Sequence, residues 1–188
     1  NFDDRCSDEV IACIEELRAE GAKALLFDVR FNPGGYQDEL VKVLDYLLPE
    51  GVIFKSVDFQ GNEETEYSDA SCVELPMAVL VNEDSYSAAE YFAAALQEYG
   101  AAEIVGTNTV GKGNYQNGFE LSDGSFLNIS TGKYFTPQGK SLTDVGITPD
   151  VEIDLSDENY AALYYKQLAA EDDAQLQAAL ELLLDKIA

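Results

Sequence analysis

Apolar residues recur at helical spacing through Val10, Ile14 and Leu17, after Ser7 and the acidic pair Asp8-Glu9, and stop at Gly21. A capping serine, first-turn acids and a terminating glycine predict a helix that begins at Ser7. The pattern then changes. Ala24-Leu25-Leu26-Phe27-Asp28-Val29 is almost continuously apolar, as a buried parallel strand would be. Phe31-Asn32-Pro33-Gly34-Gly35 interrupts it, and Leu40, Val43, Leu44 and Leu47 restore a helical period up to Pro49. Val52 to Phe59 and Glu64 to Tyr67 flank Gln60-Gly61-Asn62, a hairpin signal. Met77-Ala78-Val79-Leu80-Val81 reads as a second buried strand.

Ala88 to Tyr99 is helical and apolar nearly all round. Such a helix belongs in the interior. Gly100 ends it, and Ile104-Val105 gives a short strand. Phe119 to Leu121 and Phe126 to Ser130 flank Ser122-Asp123-Gly124, a second hairpin. Ser156 is expected to cap a helix running through Leu168, and Ala174 to Ile187 forms a last amphipathic helix. Alternating strands and helices, without repeats or a low-complexity linker, predict one α/β domain over residues 1–188 with two small antiparallel excursions.

A chain of 188 residues, 46% hydrophobic, can bury one sizeable core. Only 11 Lys and Arg stand against 36 acids, a net charge of −25. That repels phosphates, so nucleic acid is not an expected partner, and anionic membrane surfaces are disfavoured. No apolar run approaches the ~20 residues of a membrane span, and no signal peptide is visible. Cys6, Cys13 and Cys72 are too few for a disulfide scaffold, and helical rise places the first two roughly 10 Å apart. There is no histidine, and no cysteine pair has zinc-ligand spacing. No metal or organic cofactor is expected.

Without histidine, a serine nucleophile needs another base. Ser87 and Lys112 are the pair to test. Ser87-Ala88-Ala89-Glu90 has the form of a helix capping box. The same position, between a buried strand and a buried helix, also puts a serine where ligand crevices form and where free helix amides point. Lys112 lies between Gly111 and Gly113, either as a turn lysine in water or as a base. An exposed lysine titrates near ~10.4, so a lysine base must be desolvated. Val110, Tyr115 and Phe119 are the expected apolar walls, and Gln116 a hydrogen-bonding partner for the amine. Gly34-Gly35 is either a simple turn or a source of backbone donors close to a substrate. Asp28 and Arg30 share a strand face and are expected to pair. Tyr164-Tyr165 reads as packing.

These pieces together resemble the C-terminal processing (tail-specific) serine peptidases. The likeness is carried by Leu26-Phe27-Asp28-Val29-Arg30 with Asn32-Pro33-Gly34-Gly35, by Val81 through Glu90, and by Val105-Gly106 through Lys112 and Gln116. It continues through Leu121-Ser122-Asp123-Gly124-Ser125, Tyr134-Phe135-Thr136-Pro137-Gln138-Gly139, Gly146 through Val151, and Asp173-Ala174-Gln175-Leu176-Gln177. In that family the nucleophile precedes a glutamate by three residues, which matches Ser87. Its lysine base follows by 25 residues, the separation of Lys112 from Ser87. Many members carry a glutamine four residues further, matching Gln116. The oxyanion site uses the amide after the nucleophile, matching Ala88, and a glycine of the Pro-Gly-Gly loop, Gly34 or Gly35. Tyr86 departs from the pattern, because a small residue is usual there.

The resemblance implies a ClpP/crotonase-like α/β peptidase core with small antiparallel hairpins. It implies a serine endopeptidase that cleaves protein or peptide substrates near their C-termini with a Ser-Lys dyad, in an extracytoplasmic setting such as a periplasm or cell envelope. The family usually carries a helical region and a PDZ domain before this core, so the chain is expected to be a catalytic fragment or a divergent member. A non-catalytic peptide- or ligand-binding module of the same fold is the alternative. A crotonase-like acyl-CoA enzyme fits less well, because no basic site awaits the CoA phosphates. Oligomeric state is not legible.

Overall fold

A computed structural model covers residues 1–188. In chain order the elements are α1 (Cys6–Ala19), β1 (Leu25–Asp28), α2 (Gln37–Leu47), β2 (Gly51–Asp58), β3 (Glu63–Ser68), β4 (Met77–Val81) and α3 (Ala88–Glu98). They continue as β5 (Ala102–Gly106), β6 (Asn114–Glu120), β7 (Phe126–Phe135), β8 (Val151–Glu152), α4 (Asp157–Tyr164) and α5 (Ala174–Ile187), with a short 3₁₀ turn at Ala170–Asp172.

Four strands form a parallel sheet in the order β1-β4-β5-β8. β4 is buried along its whole length, as its unbroken apolar run requires. β1 is an edge strand and only partly buried, where its similar run suggested full burial. Side chains alternate across the sheet. Val79, Val81 and Ile104 face the main core with α2 and α3. Ala78, Leu80 and Val105 face α5 through Ala179 and Leu183. α3 is apolar all round because it is enclosed, and its residues from Ala88 to Leu96 are all buried.

The two expected excursions are one structure. β2 pairs with β7 from Lys55–Phe135 to Asp58–Gly132, which joins the hairpins into a four-stranded antiparallel sheet, β3-β2-β7-β6. β6 and β7 are also longer than the local pattern indicated, because half of each strand lies outside the core and carries no alternation. At its tip Leu121 donates to Ser125 and Gly124 donates back to Leu121. Gly124 takes φ 84°, the left-handed position of a turn-plus-bulge hairpin.

Two caps differ from expectation. Ser7 does not cap α1. The helix starts one residue earlier behind a left-handed Arg5, and Ser7 turns inward to Glu39 on α2. α4 is capped by Ser156, as expected, but stops at Tyr164. Left-handed Lys166 allows Gln167 N–H to return to Ala162, closing the helix although the sequence beyond stays helix-compatible.

Candidate active site

The short β4–α3 connection places Ser87 at the carboxyl end of the parallel sheet. Asn82 N–H donates to Ser85 Oγ (3.0 Å), and Ser85 Oγ donates to Val29 O (2.7 Å). Tyr86 N–H donates to Asn32 O (3.1 Å). These bonds lock the connection to the loop after β1. Ser87 itself stands at φ 61°, ψ −124°. A non-glycine residue there stores of order 1–3 kcal/mol of strain and persists only where its surroundings enforce it.

Glu90 supplies much of that enforcement. It is fully buried one turn into α3. Its Oε2 accepts from Ser87 N–H and from Lys112 N–H, both at 2.9 Å. Its Oε1 accepts from Thr109 Oγ1 (2.5 Å) and Gly111 N–H (2.6 Å). One carboxylate therefore ties the backbone of Ser87 to the loop that carries Lys112. The sequence revealed Glu90 only as a capping-box residue. Its longer-range partners left no local signal.

Gly34 sits directly against this turn. A Cβ on Gly34 would come within 2.7 Å of both Ala88 N and Ser87 Cβ. Its φ of 89° also favours glycine. Its N–H is already bonded to Asn32 Oδ1 (2.9 Å). Ala88 and Gly35 differ from it, because neither N–H takes part in a hydrogen bond within the chain. Gly35 is glycine for another reason: a Cβ there would collide with the backbone of Phe2, which bridges to it.

Ser87, Lys112, Gln116 and Gly35 line a single cleft of about 400 Å³. No hydrogen bond joins the Ser87 and Lys112 side chains, and the Lys112 amine lies over the Tyr86 ring, 5.7 Å from its centroid. Gln116 is exposed and makes no bond to Lys112. The expected apolar walls are incomplete, since Val110 and Phe119 are 51% and 45% exposed and only Tyr115 remains half-buried. An edge loop and a protruding hairpin do not enclose them.

A smaller cavity, about 50 Å³, opens beside Ser87 and Ala88. Leu40, Phe54, Tyr91, Tyr115 and Tyr134 form its apolar wall. The Tyr134 hydroxyl donates to Lys112 O. Burial pushes that hydroxyl well above its ordinary pKa, the nearby Glu90 adds to the rise, and the Ser87 side chain pulls the other way. It is therefore a neutral donor.

Asp28 and Arg30 pair as expected, Nη2 to Oδ2 at 2.7 Å. Arg30 reaches further, to Asp173 (2.8 Å) and to Gln175 Oε1 (3.0 Å). α4 braces the site from outside. Tyr160 donates to Asp84 (2.5 Å), and Phe31 packs edge-on against Tyr160 and Tyr164.

Residues 1–153 match the model of Peptidase family S41. A carboxyl-terminal-processing protease of Synechocystis sp. is 35% identical over 181 residues, 96% of this chain and 41% of that protein. The chloroplastic carboxyl-terminal-processing peptidase 2 of Arabidopsis thaliana is 38% identical over 152 residues, covering 79% of this chain and 30% of that one. Among solved structures, the photosystem II D1 C-terminal processing protease superposes with a TM-score of 0.74 at 32% identity, over 81% of this chain and 40% of that chain. The chain spans about two fifths of the length of the first two relatives it matches.

Proposed function

The chain belongs to peptidase family S41, and from that membership we propose that residues 1–188 form the catalytic core of a serine endopeptidase acting near the C-termini of protein substrates. Ser87 is the nucleophile and Lys112 the base. The observation that carries this reading is the meeting, in one cleft, of a strained serine, a lysine and the unpartnered amide of Gly35, with the unpartnered Ala88 amide next to that serine in the adjoining small pocket.

In the proposed reaction the Lys112 amine takes the Ser87 hydroxyl proton as Oγ attacks the scissile carbonyl carbon. The negative charge forms on the carbonyl oxygen, where the Ala88 and Gly35 N–H groups donate to it. Gly34 contributes its close approach, with its own N–H spent on Asn32. The Lys112 ammonium returns the proton to the departing amine. Water then attacks the acyl-serine by the same route and releases the carboxyl product. For the first step Lys112 must turn from Tyr86 toward Ser87, a side-chain rotation within one cleft. Gln116, at the rim, faces incoming substrate. The small pocket beside Ser87 and Ala88, with its apolar wall, receives an apolar side chain next to the scissile bond.

No helix is long and apolar enough to cross a membrane. An extracytoplasmic setting is proposed from the family resemblance, and cell fractionation tests it.

Fluorophosphonate labelling of the whole protein, followed by peptide mapping, tests the nucleophile. Modification of Ser87, lost in both Ser87→Ala and Lys112→Ala, is the expected result. Labelling of another serine, or full turnover of a disordered substrate by either variant, overturns the dyad. A properly folded protein that takes no label supports the non-catalytic alternative.

A further inference from the structure

Tyr134, on β7, touches both the small pocket and the loop that carries Lys112. It is 5% exposed. Its N–H donates to Gly113 O (3.1 Å), and its hydroxyl donates to Lys112 O. Two successive carbonyls of that loop are thus held by one residue. The N–H of Lys112 is held as well, on Glu90 Oε2 (2.9 Å). The main chain of Lys112 is therefore gripped at both ends, by α3 and by β7, and its side chain is left to turn from Tyr86. In the sequence Tyr134 reads only as the first residue of Tyr134-Phe135-Thr136-Pro137.

The same ring borders the cavity of about 50 Å³ beside Ser87 and Ala88. It is held there by two other aromatic rings. Tyr91 meets it edge-on with centroids 5.6 Å apart, and Phe54 lies at 6.3 Å. Tyr91 also donates to Phe135 O (2.8 Å), which fastens β7 to α3 one residue past Tyr134. Close-packed interiors yield little and transmit what presses on them. A side chain that fills the cavity therefore completes the contacts of the Tyr134 ring and steadies its hydroxyl on Lys112 O. A side chain too short to reach leaves that face of the ring without those contacts. Interactions that tighten as the reaction proceeds raise its rate, whereas uniform binding raises affinity alone.

We propose that Tyr134 is a positioning residue for Lys112 and that it transmits the filling of the small pocket to that base, so that an apolar side chain next to the scissile bond raises the rate of acylation and not binding alone. The inference rests on the peptidase reading above, and the test separates the two. The probes are two N-acylated aminoalkylphosphonate diphenyl esters, one with the side chain of valine and one with that of glycine. A serine Oγ attacks their phosphorus with loss of phenol. Labelling of the whole protein against probe concentration yields a maximal rate and a half-saturating concentration. Wild-type protein should label faster at saturation with the valine probe. Tyr134→Phe keeps the pocket wall and loses the bond to Lys112 O. Its maximal rate should fall roughly tenfold, the equivalent of one hydrogen bond, at an unchanged half-saturating concentration. The advantage of valine over glycine at saturation should shrink with it. Tyr99→Phe loses a similar hydroxyl bond, to Val52 O (2.9 Å), outside the cleft and the pocket, and should keep the wild-type rate. An equal drop in both variants would make the Tyr134 bond merely structural and overturn the proposal. So would an unchanged maximal rate in Tyr134→Phe, or a valine advantage confined to the half-saturating concentration. The last is read on wild-type protein and decides the matter even if the variant does not fold. Wild-type protein that takes no label at Ser87 overturns the peptidase reading and this one with it.

Discussion

Glu90 shows how much of this site depends on one buried side chain. Its carboxylate accepts four hydrogen bonds, and two of them hold Ser87 and Lys112 backbone amides on the same oxygen. Glu90→Gln would replace an acceptor by an NH₂ group facing N–H donors. Losing buried bonds to a charged group costs about 1.5–3 kcal/mol each. The variant should lose stability in urea unfolding by at least that much, and its Ser87 should label more slowly even well below the unfolding midpoint. Normal labelling with reduced stability would make Glu90 purely structural. Thr109→Val removes one of the four bonds and should fall in between. The glycines separate by the same reasoning. Gly34→Ala places a Cβ against Ala88 N and Ser87 Cβ and should remove labelling. Gly35→Ala disturbs the Phe2 bridge as well and should also lower Tm. Ser87, Glu90 and the Gly34-Gly35 turn were visible in the sequence because each carries a local motif. The division of labour between the two glycines was not, since it depends on Asn32 and Phe2 reaching them in space.

At the level of elements, the alternation of apolar runs located almost every strand and helix, and failed where tertiary contacts override local preference. Ser7 looks like a cap and is a clasp. Its N–H and hydroxyl both donate to Glu39 Oε2 at 2.8 Å, which fastens α1 to α2. The hydrogen bond from Lys42, then those from Ser7, hold the Glu39 carboxyl down to about 2. A carboxyl that titrates lower in the folded than in the unfolded chain stabilises above its unfolded value and loses that contribution as pH falls through its folded one. The window here runs from about 4.5 down to about 2. Wild-type protein should therefore melt above Glu39→Gln at pH 6, and the difference should shrink steadily across that window. A difference that is constant with pH would show that the clasp is not ionic. The pairing of β2 with β7 was equally hidden. Each hairpin is legible alone, but strands nearly 80 residues apart share no local pattern that announces their partnership.

For the molecule as a whole, the parallel sheet is enclosed between α5 on one face and α2 and α3 on the other, and Arg30 fastens the first of these to the rest. Its side chain is 3% exposed and is met by Asp28, Asp173 and Gln175. The pair with Asp28 was legible from their spacing. The partners 143 and 145 residues away were not. Removing one member of a buried pair typically costs about 3–5 kcal/mol, because the other charge is left stranded, whereas replacing both with apolar groups can be close to neutral. Asp173→Ala should thus be more destabilising than Arg30→Met combined with Asp173→Leu, as read from urea unfolding midpoints. The reverse order would show that the cluster contributes through geometry and not through charge. The same arrangement also has a consequence in time. During synthesis Arg30 leaves the ribosome long before Asp173 does, and the sheet that would bury it is complete before its second carboxylate exists. At about 5–20 residues per second, the nascent chain spends many seconds with a guanidinium that cannot be buried without loss. The cluster around Arg30 therefore closes only once Asp173 and Gln175, at the start of α5, have been made, so this face of the sheet is sealed late in synthesis.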